Sequence, residues 1–85
     1  MTKSVFTDAY RTLLEHLKRA RKEAGVSQTE LARRLGKPQQ FVSFIELGAR
    51  RLDVIEFYVI MTALEVDPGE AFLALVKALP DDIAI

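Results

Sequence analysis

The sequence predicts an all-α domain of five helices. Apolar residues recur at steps of three and four in successive stretches, the period that lines one face of a helix. Helix start and stop signals divide that pattern into five segments. With 85 residues, the chain is near the lower size at which a hydrophobic core alone can hold a fold, so residues 1–85 are read as one domain.

Thr2 to Thr7 reads as a loose arm, with Thr7 or Asp8 as the N-cap of the first helix. Phe6, Tyr10, Leu13, Leu17, Ala20 and Ala24 then fall on one face, and Gly25 ends the run. The opposite face carries Arg11, Glu15, Lys18, Lys22 and Glu23, a solvated surface. His16, the only histidine, has no metal partner at helical spacing and reads as a surface or packing residue.

Ser27 and Glu30 have the Ser-x-x-Glu spacing of a capping box, which starts the second helix at Gln28. Leu31, Ala32 and Leu35 form its apolar stripe. Gly36-Lys37-Pro38 then breaks the pattern. Glycine tolerates the positive φ that a helix C-terminus often needs, and the fixed φ of Pro38 suits a first helical position. The third helix runs from Pro38 to Glu46, burying Phe41, Val42 and Ile45 and turning Gln39, Gln40, Ser43 and Phe44 outward. Burying a Phe side chain contributes ~1.5–3 kcal/mol, so an outward Phe44 calls for a partner surface. Glu46 ends this helix, where the dipole disfavours a negative charge, and requires a cationic partner.

Gly48-Ala49-Arg50-Arg51 is a loop with two adjacent cations. Asp53 and Glu56 make a second capping box, opening a fourth helix that continues to about Leu64 with Phe57, Ile60, Met61 and Leu64 inward. Tyr58 and Val59 add more apolar surface than one small core needs. Asp67-Pro68-Gly69-Glu70 starts the fifth helix, residues 68–79, with proline at the first helical position. Ala71 to Val76 are apolar on every side. A helix at the edge of a small domain buries one side, so the remainder implies a subunit interface. A homodimer is expected through Phe72, Leu73, Leu75, Val76 and Leu79, with Tyr58, Val59 and the tail Ile83-Ala84-Ile85 contributing.

The formal net charge is zero, which by itself argues against a polyanionic partner. The charges are divided, however. Residues 1–51 hold eleven Lys and Arg against five Asp and Glu, a net of +6, and residues 52–85 hold Lys77 against seven Asp and Glu, a net of −6. That polarity orients the molecule towards a polyanion, basic end first. The absence of cysteine excludes a disulfide framework and a thiolate metal site. A reducing cytoplasm fits, and with no apolar run near the ~20 residues of a membrane span the chain is expected to be soluble and unprocessed.

The stretch from Gln28 to Glu46 resembles the helix-turn-helix of the Cro/C1-type (XRE-like) regulators, the family of the lambdoid phage repressors. Small Ala32 stands where the two helices cross, Gly36 stands in the turn, and Val42 and Ile45 stand on the buried face of the second helix. The resemblance extends from about Leu13 to Phe72 and includes Gly25, Ser27, Glu46 and Gly48. It implies a lambda-repressor-like DNA-binding domain, with no cofactor and no metal.

The resemblance also implies roles. Gln39, Gln40, Ser43 and Phe44 form the base-reading surface, since Gln pairs bidentately with the adenine edge and an aromatic ring packs on the thymine methyl. Gln28 braces the DNA backbone at the positive end of its helix. Arg21 pairs with Glu46, pinning the reading helix to the first helix with its guanidinium near the backbone. The family often has Ser or Thr where Lys37-Pro38 stands here, and a polar residue where Leu47 stands. Phosphate contacts are therefore expected from Lys37, Arg50 and Arg51.

The reading that follows is a dimeric, sequence-specific binder of double-stranded DNA at a near-palindromic operator, most simply a repressor, acting in the cytoplasm. The alternative is an antitoxin or other interaction module of the same fold that binds a regulatory protein partner, kept open by Phe44 and the fifth helix. An enzyme is not expected. No nucleophile-base set and no glycine-rich phosphate loop is present.

Overall fold

The computed structural model describes residues 7–84; most of the expected arm, including Phe6, and Ile85 of the tail lie outside the described residues. Five helices follow in order: α1 (Asp8–Glu23), α2 (Gln28–Leu35), α3 (Gln39–Leu47), α4 (Val54–Ala63) and α5 (Pro68–Ala78). The described residues contain no strand.

Short polar side chains start four of the helices. The Thr7 hydroxyl accepts from the Tyr10 N–H at 3.1 Å, so Thr7 is the cap of α1. Ser27 caps α2 through the Glu30 N–H at 3.0 Å. The second half of the expected capping box is absent from the contacts of Glu30, whose carboxylate accepts from Arg33 and Arg34 on the next turn at 2.6 and 2.9 Å. Those bonds, Arg33 first, hold its pKa down to about 2. At α4 the Asp53–Glu56 box is complete in both directions. Asp67 caps α5 through the Gly69 and Glu70 N–H groups. Pro38 is displaced by one position from its expected place. Its ψ of 156° is extended, making it the N-cap of α3 and not the first helical residue, and it offers no side-chain acceptor.

Four of the five helix ends share one device, a left-handed residue after the last turn, and only α5 ends in an extended residue, Leu79. Gly36 at φ +68° ends α2, with the Lys37 N–H bonded to the Ala32 carbonyl at 2.9 Å. At the end of α4 the same left-handed position is held by Glu65, at φ +62°, and the Val66 N–H reaches the Met61 carbonyl. A Cβ at Gly36 meets nothing within 4 Å, so the cost of Gly36→Ala is conformational and is expected to be about 1 kcal/mol. Glu65→Gly relieves the same strain and is expected to gain up to about 1 kcal/mol. Urea denaturation of both variants checks this pair, and equal signs for the two changes would overturn it.

The core is built from one stripe per helix. Tyr10, Leu14 and Leu17 of α1 meet Leu31 and Ala32 of α2, Val42 and Ile45 of α3, and Phe57, Ile60 and Met61 of α4, with Leu64 at the C-cap of α4. The α1 stripe is rotated by one row from its expected place. Leu14 occupies the centre, Leu13 and Ala20 flank it, and Ala24 is exposed. Arg34 ties α2 to the end of α4 by donating to the Ala63 carbonyl at 2.8 Å. The Phe72 ring meets Phe57 edge-on, centroids 6.2 Å apart, and fastens α5.

Leu75 corrects the expected subunit interface. It is buried, at 4% exposure, with Ala71 and Leu79 half-buried beside it. It therefore closes its own core and is not offered to a partner. Phe72, Leu73, Val76, Tyr58 and Val59 remain about half exposed.

Candidate nucleic-acid interface

Because Gly36 turns the chain and Val42 and Ile45 anchor α3 inward, Gln39, Gln40 and Phe44 stand in solvent, with Ser43 half-buried among them. Phe44 is 48% exposed, and Leu47, three residues on, is 68% exposed. The outer face of α3 is thus a strip of amides and apolar groups.

Behind it lies a buried ion pair. Arg21 and Glu46 are 8% and 6% exposed. The Arg21 Nε donates to Glu46 Oε2 at 2.6 Å, Nη2 donates to Oε1 at 3.0 Å, and Nη1 donates to the Val26 carbonyl at 2.9 Å. This fork matches the carboxylate plane and fixes α3 against α1. It also corrects the expectation that Arg21 contacts phosphate, because its guanidinium is turned inward and buried in these bonds.

The pair extends to the surface through Gln28. The Gln28 Nε2 donates to Glu46 Oε1 at 2.9 Å, and Gln28 Oε1 accepts from Gln39 Nε2 at 2.8 Å. An ionised carboxylate only accepts, so Gln28 must turn its nitrogen inward and its oxygen outward. Gln39 must then spend one N–H on Gln28. It keeps a second N–H and its carbonyl oxygen for a ligand, the pattern needed at the N6/N7 edge of adenine. The buried charge therefore dictates which way the Gln39 amide faces. Gln28, expected to brace phosphate, is engaged by both neighbours, although it sits at the start of α2.

The cations beside α3 are held on aromatic rings. The Lys37 ammonium lies 5.4 Å and the Arg50 guanidinium 4.8 Å from the centroid of Phe41, and Arg51 lies 4.5 Å from that of Tyr10. The Tyr10 hydroxyl also accepts from the Leu52 N–H at 3.0 Å, which ties the loop to α1. Arg50 is paired with Glu56 at 2.8 Å. That arginine first, and the Asp53 N–H second, lower the Glu56 pKa. Tyr10, Phe41 and Glu56 thus position cations that the sequence shows, but no local spacing announces them.

Comparison with known proteins agrees with this architecture. Residues 17–70 match the helix-turn-helix family. A solved structure, the XRE-family like protein from Pseudomonas syringae pv. tomato str. DC3000, is 46% identical over 85% of this chain and 88% of that one, and superposes with a TM-score of 0.79. No curated protein matches. No described helix is long and apolar enough to cross a membrane. The turn geometry, the buried pair behind α3 and the family match together place this chain in the Cro/C1-type (XRE) helix-turn-helix family of DNA-binding regulators.

Proposed function

We propose that the protein is a sequence-specific transcriptional regulator that binds duplex DNA as a symmetric dimer and represses by occupancy. The hydrogen-bonded chain from Arg21 through Glu46 and Gln28 to Gln39 carries this reading. It presents an oriented amide at the head of an exposed helix flanked by Lys37, Arg50 and Arg51. Gln39 and Gln40 read base edges, Phe44 packs on a thymine methyl, and the cations meet phosphates on either side. Dimerisation rests on the exposed Phe72, Leu73 and Val76 of α5 with Tyr58 of α4. A two-fold arrangement sets the reading helices one DNA turn apart, ~34 Å.

Selection from a random duplex library tests this reading. An inverted repeat is expected, and Gln39→Ala should relax preference at a single base pair by about 1–3 kcal/mol, with Gln40→Ala relaxing a neighbouring one. Absence of any enriched motif would overturn it. The exposed Phe44 and Leu47 favour a second reading in that case, a protein partner docked on α3, as in an antitoxin.

A further inference from the structure

We propose that the groove between the α2–α3 turn and α4 binds a small apolar monoanion, a carboxylate carrying one ring or a short acyl chain. The groove has a volume of about 250 Å³ and an apolar floor of Leu35, Phe41, Ile55, Val59 and Ile60. Lys37, Arg50 and Glu56 form its rim.

Size, apolarity and charge each restrict the occupant. A cavity of about 150 Å³ admits benzene, and drug-sized ligands take roughly 300–1,000 Å³. The groove falls between, room for one ring and a short acid. Ile55 is 67% exposed and Val59 45%. They lie on the side of α4 that turns away from Phe57 and Met61, so the protein's own core does not cover them. A phosphate group alone would satisfy the rim and leave this floor in water.

Two cations against one carboxylate leave the rim with a single net positive charge. Arg50 is paired with Glu56, whereas Lys37 rests on the Phe41 ring. Among the described residues no ion pair engages Lys37. Its ammonium and the Arg50 guanidinium both lie over the Phe41 ring, so the open part of the floor is the α4 side, and an acid whose body lies on Ile55, Val59 and Ile60 places its carboxylate at Lys37. This site goes beyond DNA reading and does not depend on it.

The test is a methyl and aromatic NMR titration of the full chain with phenylacetate, and in parallel with the isosteric, neutral phenylacetamide. Saturable shifts confined to Leu35, Phe41, Ile55 and Val59 are expected, with phenylacetate preferred about tenfold, the difference between a charge-assisted and a neutral hydrogen bond. Lys37→Gln should erase that preference. Lys37 is exposed, so the variant is expected to keep the native amide spectrum. Non-saturating or dispersed shifts, an equal response to the amide, or an unchanged preference in Lys37→Gln would each overturn the proposal. No DNA enters the experiment, so its result stands apart from the operator selection.

Discussion

Arg21→Met is expected to destabilise the domain by roughly 3–5 kcal/mol, a large part of the ~5–15 kcal/mol that holds an ordinary domain together. The variant leaves the Glu46 carboxylate 6% exposed with Gln28 alone to satisfy it. Removing one member of a buried pair strands the other, and that penalty exceeds the net contribution of the pair itself. For the same reason Arg21→Met combined with Glu46→Leu should recover most of the loss, since apolar groups of similar volume replace both charges. Urea denaturation of the two single variants and the double variant measures this, and additive losses would refute it. Operator binding should not recover with stability. Without Glu46, Gln28 has no acceptor to orient it and the Gln39 amide is free to rotate. A refolded double variant that still discriminates bases like the parent would show that the chain from Arg21 to Gln39 does not act on reading.

Operator affinity is expected to fall on the order of 10³-fold between 50 and 200 mM salt. If Lys37, Arg50 and Arg51 each meet a phosphate in the proposed dimer, six contacts form, and each contributes about −0.9 to the slope of log affinity against log salt. Arg51→Gln removes two contacts per dimer and should reduce the slope by about 2. Arg50→Gln separates two possibilities. If Arg50 leaves Glu56 for the DNA, its slope change matches that of Arg51. If the 2.8 Å pair with Glu56 persists in the complex, the slope does not move. A nearly flat salt dependence in the parent protein would exclude a phosphate-dominated interface altogether.

Much of the fold was legible because it is encoded locally. Ser27, Asp53 and Asp67 mark helix starts, Gly36 and Gly48 mark ends, and the stripes of α2, α3 and α4 face inward as their spacing requires. The misses have physical reasons. Pro38 is compatible with both the N-cap and the first helical position, because its fixed φ of −67° suits both and only ψ separates them. In α1, two adjacent rows both repeat at three and four, and only packing into the shared core selects the row with Leu14. Leu75 sits in a segment apolar on all sides, which hides the direction of the core. Within the interface, the outward face of α3 follows from periodicity. The Gln28 bonds join positions 18 and 11 residues apart, and the stacking of Arg51 on Tyr10 joins α1 to a distant loop. Nothing in local spacing reports such contacts.

The exposure of Gln40 and Phe44 and the engagement of Gln39 divide the proposed reading strip into two kinds of position. A substitution at 40 or 44 disturbs none of the hydrogen bonds that seat α3, so a new target preference can arise there in a single genetic step at little cost to folding. Position 39 is different: a residue unable to donate to Gln28 Oε1 leaves that oxygen to water and unsettles its neighbour. If α3 reads bases as proposed, its recognition code is unevenly evolvable, free at its centre and constrained at the end nearest the buried charge.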